Sequence, residues 1–172
     1  MKGSKLKMKW ALTVAYVGVI VAANYATSEF GLVPIGFGLL VTAGTFFAGV
    51  ALIVRDGLQV ASSRAWLLSA IVVGAVVSAF TSGRALALAS GVAFLVSEFV
   101  DWGVFTPLRD RGRIAIGVVA SSLVAAPIDT VLFLHLAGFP VTVPVVLGQV
   151  LVKTGLALLV VAVLAMSARV VP

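Results

Sequence analysis

The chain has 172 residues, 62% of them hydrophobic and only 10% charged, with a mean hydropathy of +1.22, which excludes a water-soluble globular domain and specifies a membrane protein. Cysteine is absent and His135 is the lone histidine, so disulfides, thiolate sites and a Cys nucleophile are excluded and no cofactor or metal is expected. The net charge of +6 is not gathered into one patch interleaved with aromatics, so no nucleic-acid partner is expected either.

In chain order, windows of about 19 apolar residues give six expected spans, 10–30, 37–54, 66–82, 86–105, 114–136 and 143–166, within one membrane domain covering 1–172. The connections "GLVPIG", "RDGLQVASSR", "TSGRA", "TPLRDRGR" and "AGFPVTVP" carry turn-forming and charged residues. The expected class is all-α, a polytopic bundle of six transmembrane helices, because an open sheet in hydrocarbon leaves backbone groups unpaired. Four lysines before Trp10, Arg55 and Arg64 in the second connection, Arg109, Arg111 and Arg113 in the fourth, and Arg169 at the end put ten basic residues on one side. Arg84 falls on the other side, so both termini are expected in the cytoplasm. "VAANYA" near residue 24 resembles a signal peptidase site. Cleavage there would remove the first span and spoil the charge pattern, so the segment is read as a retained helix.

Four ionisable residues fall inside spans: Glu98 and Asp101 in the fourth, Asp129 in the fifth and Lys153 in the sixth. Each costs about 2.5–3.5 kcal/mol at a helix centre unless paired or hydrated. A rise of about 1.5 Å per residue puts Glu98 and Lys153 near mid-depth, with Asp101 one turn nearer the basic side. The i, i+3 spacing sets Glu98 and Asp101 on one inward helix face. Lys153 can neutralise one acid, and repulsion among the others favours holding a proton. This is how a proton relay or a cationic-ligand site is built; a cluster of Glu98, Asp129 and Lys153 that only fixes packing is the plainer alternative. Asn24, Ser97 and Gln149 add polar groups at comparable depth, and Pro127 breaks the helix ladder just before Asp129. Phe46, Phe47, Phe94, Phe99, Trp102 and Phe133 gather around the acids and suit stacking on a planar heterocycle, whereas Trp10 and Trp66 fit an interfacial belt. Three spans followed by three would give halves of opposite orientation, as in inverted-repeat transporters. "RDGLQVASSR" approaches the D-G-x-x-A-R run of phosphatidyl transferases, but its Arg64 is displaced and the second acid pair is missing. No nucleophile, metal or nucleotide motif is present, so an enzyme is not expected.

The runs "GTFFAGVALIVRDGLQ", "SGVAFLVSEFVDWGVFTPLR" and "VASSLVAAPIDTVLF", preceded by "AANYAT", resemble the VUT family, the YhhQ-like queuosine precursor transporters. That resemblance implies a six-helix secondary transporter of the bacterial cytoplasmic (inner) membrane that imports 7-cyano- or 7-aminomethyl-7-deazaguanine. It sets the family's motif acids on Glu98, Asp101 and Asp129, and its cytoplasmic signature on Arg55, Asp56, Gln59 and Arg109. The expected substrate contacts are Glu98, Asp129, Asn24, Lys153, Gln149, Phe46 and Phe133. Asp101, Arg55, Asp56, Gln59 and Arg109 are expected to gate or couple protons. The expected partners are the deazapurine and the lipid bilayer, and a homodimer is compatible with the sequence. Two alternatives stay open: the substrate-binding subunit of an energy-coupling-factor importer, and a non-transporting structural membrane protein.

Overall fold

The computed structural model describes residues 2–170. The side chains of Lys2, Lys5 and Arg169, part of the basic pattern, lie outside the described residues. The elements in order are α1 (Lys2–Phe30), β1 (Leu32–Gly36), β2 (Leu39–Thr42), α2 (Thr45–Ala61), α3 (Arg64–Thr81), α4 (Arg84–Asp110), α5 (Ile114–Leu136) and α6 (Val143–Val170). Four helical segments, Leu6–Phe30, Arg64–Thr81, Arg84–Asp110 and Ile114–Leu136, are long and apolar enough to cross a membrane. The described part of α6 adds a shorter apolar stretch, Val143–Leu159.

Each helix makes its main contacts with two others, so that the six close a ring in the order α1, α2, α6, α5, α4, α3, with lesser contacts across it. The first three helices are centred on α1, which touches both α2 and α3, and the last three on α5, which touches both α4 and α6. Mapping α1 onto α4 therefore does not reproduce the packing, and the inverted repeat suggested by three-plus-three counting does not describe this bundle. A cluster of Tyr16, Ile20, Ala51, Leu58, Leu67, Ala70, Ile71 and Phe94 fills the space among α1, α2, α3 and α4.

Among the described residues, the strand structure is a hairpin where the second span was expected to begin. β1 and β2 pair antiparallel through Leu32↔Thr42 and Val33↔Val41. The turn places Gly36, Phe37 and Gly38 at φ values of 92°, 55° and 74°, a run of left-handed backbone that ends any helix started at residue 37. Gly31 at φ 57° first stops α1, with its N–H on Thr27 O at 2.9 Å. The second helix consequently starts at Thr45 instead of residue 37 and runs on through Arg55 to Ala61.

Irregular backbone at such a position survives in a membrane protein only when buried in protein or lining a cavity, and this hairpin is buried on its β2 side. Val41 is 0% and Thr42 1% exposed, and β2 lies along α6. Ala43 N donates to Gly31 O at 2.8 Å, and Gly44 N to Thr27 Oγ1 at 3.1 Å. Gly44 sits so close to Ala23 O and Thr27 Oγ1 that no side chain fits there.

The opposite end of the bundle carries Lys7, Lys9, Arg64, Arg109, Arg111 and Arg113, with an aromatic layer beneath. Trp10 and Trp66 meet edge to face, the Lys9 ammonium sits 3.6 Å over the Trp66 ring, and the Arg64 guanidinium lies over Trp102. Cations and tryptophans together form an interfacial girdle. Below, this is called the basic end and the other the hairpin end.

Candidate functional site

The buried polar groups fall into two layers. The first surrounds a small cavity toward the hairpin end, about 30 Å³ in volume. Six elements line it: Asn24 and Thr27 from α1, Thr42 from β2, Thr45 and Ala48 from α2 with Gly44 just before it, and Ser90, Ala93 and Phe94 from α4. Asp129 and Phe133 come from α5, and Gln149 and Lys153 from α6. Lys153 Nζ donates to Asp129 Oδ2 at 2.7 Å and to Thr130 Oγ1 at 2.9 Å, so the ammonium is neutralised by Asp129 and no longer available to Glu98. Ser97 Oγ reaches the other oxygen, Asp129 Oδ1, at 3.5 Å. Thr42 and Thr45 share a hydroxyl hydrogen bond of 3.0 Å. By contrast, Asn24 Nδ2 and Gln149 Nε2 are buried and have no protein partner. An amide donor left unpaired away from water costs about 1–3 kcal/mol, so two of them facing one cavity mark a place where something else must accept.

The second layer lies about 10 Å toward the basic end, seven residues further along both α2 and α4 at about 1.5 Å each. Arg55 is 2% exposed. Its Nη2 donates to Asp56 Oδ1 at 2.8 Å and to Asp101 Oδ1 at 2.8 Å, and its Nε lies 3.4 Å from Glu98 Oε2. This corrects the placement of Arg55 in an exposed connection. Because the hairpin displaces the start of α2, Arg55 falls inside the helix and its guanidinium joins α2 to α4. Gln59, one turn further on, is also buried.

Among the expected substrate contacts, the cavity brings together Asn24, Asp129, Phe133, Gln149 and Lys153. Glu98 is buried in the Arg55 layer and is not part of the lining. Phe46 is 45% exposed on the outside of α2, because it lies about 100° round the helix from the inward-facing Thr45. Among the expected gating residues, Arg55, Asp56 and Asp101 meet directly, whereas Arg109 pairs with its neighbour Asp110 at the exposed end of α4. Thr27, Thr42, Thr45 and Ser90 were not singled out beforehand. Hydroxyl residues are common in membrane helices, and only the hairpin reveals that Thr42 belongs inside the bundle.

A family model described as "Putative vitamin uptake transporter" matches residues 11–167. The chain belongs to that family. No curated protein and no solved structure matches it. Membership in the vitamin uptake transporter family agrees with the resemblance read in the sequence, and together with the apolar helices it makes the chain a multi-pass membrane transporter. The cavity is walled by six elements and carries an ion pair and two amides without protein partners.

Proposed function

We propose that this transporter imports 7-cyano- or 7-aminomethyl-7-deazaguanine, or a related purine-like compound, across the bacterial cytoplasmic membrane. On this reading six helices span the membrane and the basic end faces the cytoplasm. The observation that carries it is the pair of unpartnered amides, Asn24 Nδ2 and Gln149 Nε2, in one cavity with Asp129. A guanine-like edge presents adjacent N–H donors that one carboxylate accepts together, and a carbonyl and ring nitrogens that accept from amides. Phe94 and Phe133 supply apolar faces for a planar ring. Binding then exchanges part of the Lys153–Asp129 contact for contacts to the cargo, so the resting pair keeps the empty cavity neutral.

The test is uptake of the labelled precursors by cells that cannot make them. Uptake should depend on the transporter and fall several-fold in Asn24→Ala and Gln149→Ala, each losing a neutral hydrogen bond, and at least about tenfold in Asp129→Asn, which loses a charge-assisted one, all at parental membrane levels. Undiminished uptake in all three removes the cavity from the pathway. Absence of uptake and of ligand-induced thermal stabilisation of the purified parent rejects the deazaguanines as cargo.

A further inference from the structure

The Arg55 layer contains three carboxylates, Asp56, Glu98 and Asp101, and one guanidinium. Fully ionised it carries a surplus of two negative charges. Glu98 and Asp101 are 1% and 0% exposed, and each keeps one oxygen, Glu98 Oε1 and Asp101 Oδ2, buried without a hydrogen-bond partner. Arg64 at the start of α3 is the next cation within electrostatic range of Glu98, and it is exposed and lies over Trp102. From α1 the neighbouring titratable group is Tyr16, and from α5 it is Asp129. Asp129 is committed to Lys153. No further cation therefore closes the charge of this layer among the described residues. Asp56 is partly exposed, but Glu98 and Asp101 are not, so the buried part of this layer needs a small cation, and the smallest space is demanded by a proton.

We propose that the Arg55 layer is a proton-binding gate, separate from the cargo cavity, in which Glu98 carries the proton while Arg55 holds α2 against α4. The inference rests on the transport reading above. Both Glu98 and Asp101 keep a free oxygen, but Glu98 has the looser hold on the guanidinium, 3.4 Å against 2.8 Å for Asp101, so its charge is the less compensated and it is the one that takes the proton. The step is a simple exchange: a proton from water forms that bond, and its later departure to water at the basic end leaves an uncompensated buried carboxylate. The layer relieves this charge by admitting water, which separates α2 from α4 and opens the cavity toward the basic end. Ser97 and Glu98 are consecutive residues of α4, and Ser97 touches Asp129. Rearrangement at the cavity and at the gate therefore shares one turn of helix.

The chain lacks cysteine, so a single Gln59→Cys reporter, one turn beyond Arg55 on the basic side, reads the opening by its reaction rate with a hydrophilic maleimide in liposomes. Rates are divided by those of the detergent-denatured protein at the same pH, which removes the titration of the thiol itself. The corrected rate should rise about tenfold per pH unit, the change one titrating proton imposes on the open population, on going from mildly acid to mildly alkaline buffer. Adding Glu98→Gln should keep the rate low at every pH, and Glu98→Asp should restore the dependence. A corrected rate that is flat with pH in the reporter alone, or unchanged by Glu98→Gln, overturns the gate. No cargo is used, so a flat profile beside intact uptake rejects the gate alone, and a steep profile without deazaguanine uptake rejects only the cargo.

Discussion

Lys153 and Asp129, 24 positions apart in sequence, hold each other at 2.7 Å in the wall of the cavity, both almost fully buried. Their contact joins α6 to α5 close to Pro127, which α5 carries inside a continuous helix. Removing one member leaves an unpaired buried charge, which costs about 3–5 kcal/mol, whereas removing both is far milder. Lys153→Met and Asp129→Leu should each lower the melting temperature of the purified protein by roughly 10 °C, at about 2–4 °C per kcal/mol for a chain of this size. The double variant should regain most of that loss yet bind no cargo. Additive losses in the double variant would show that the two charges are not coupled.

Gly44 is the point where the hairpin, α1 and α2 meet, and a methyl group there would run into Ala23 O and Thr27 Oγ1. Gly44→Ala should destabilise by about 1–3 kcal/mol through overpacking and disturb the cavity wall. Gly103 in α4 is exposed, with nothing near an added Cβ, so Gly103→Ala should be neutral or stabilising by up to about 1 kcal/mol. Thermal unfolding of the two variants decides this, and equal melting temperatures would contradict the close packing at Gly44.

Hydropathy made the helices legible because long apolar runs broken by Gly, Pro and charges have few other solutions in a bilayer. It also marked Asp129, Lys153, Asn24 and Gln149, since polar groups in such runs must turn inward. The hairpin was hidden for the same reason. "LVPIGFGLLVT" is nearly as apolar as a span, and a window average discards the glycines at 36 and 38, whose left-handed backbone defines the turn. That misplacement carried another with it: Arg55 was counted as part of a connection. Glu98 was correctly judged inward by its spacing from Asp101, but spacing along one helix does not tell which cation on another helix it will meet.

The arrangement of the two ends gives a prediction about sidedness. Phe37, at the hairpin tip, is fully exposed, and Gly112 is exposed in the turn between α4 and α5 at the basic end. On the proposed reading of six crossings with the basic loops in the cytoplasm, Phe37 is expected outside, and Gly112 and its neighbour Arg111 inside. In the cysteine-free chain, Phe37→Cys should react with a membrane-impermeant maleimide in intact cells, and Arg111→Cys only after permeabilisation. Phe37 occupies φ 55°, which costs a non-glycine residue little more as Cys than as Phe, so the reporter leaves the turn intact. Labelling of both positions in intact cells would mean that the two ends face the same side. The ring of helices would then have to cross the membrane fewer than six times, and the cavity would lose its place between the two faces.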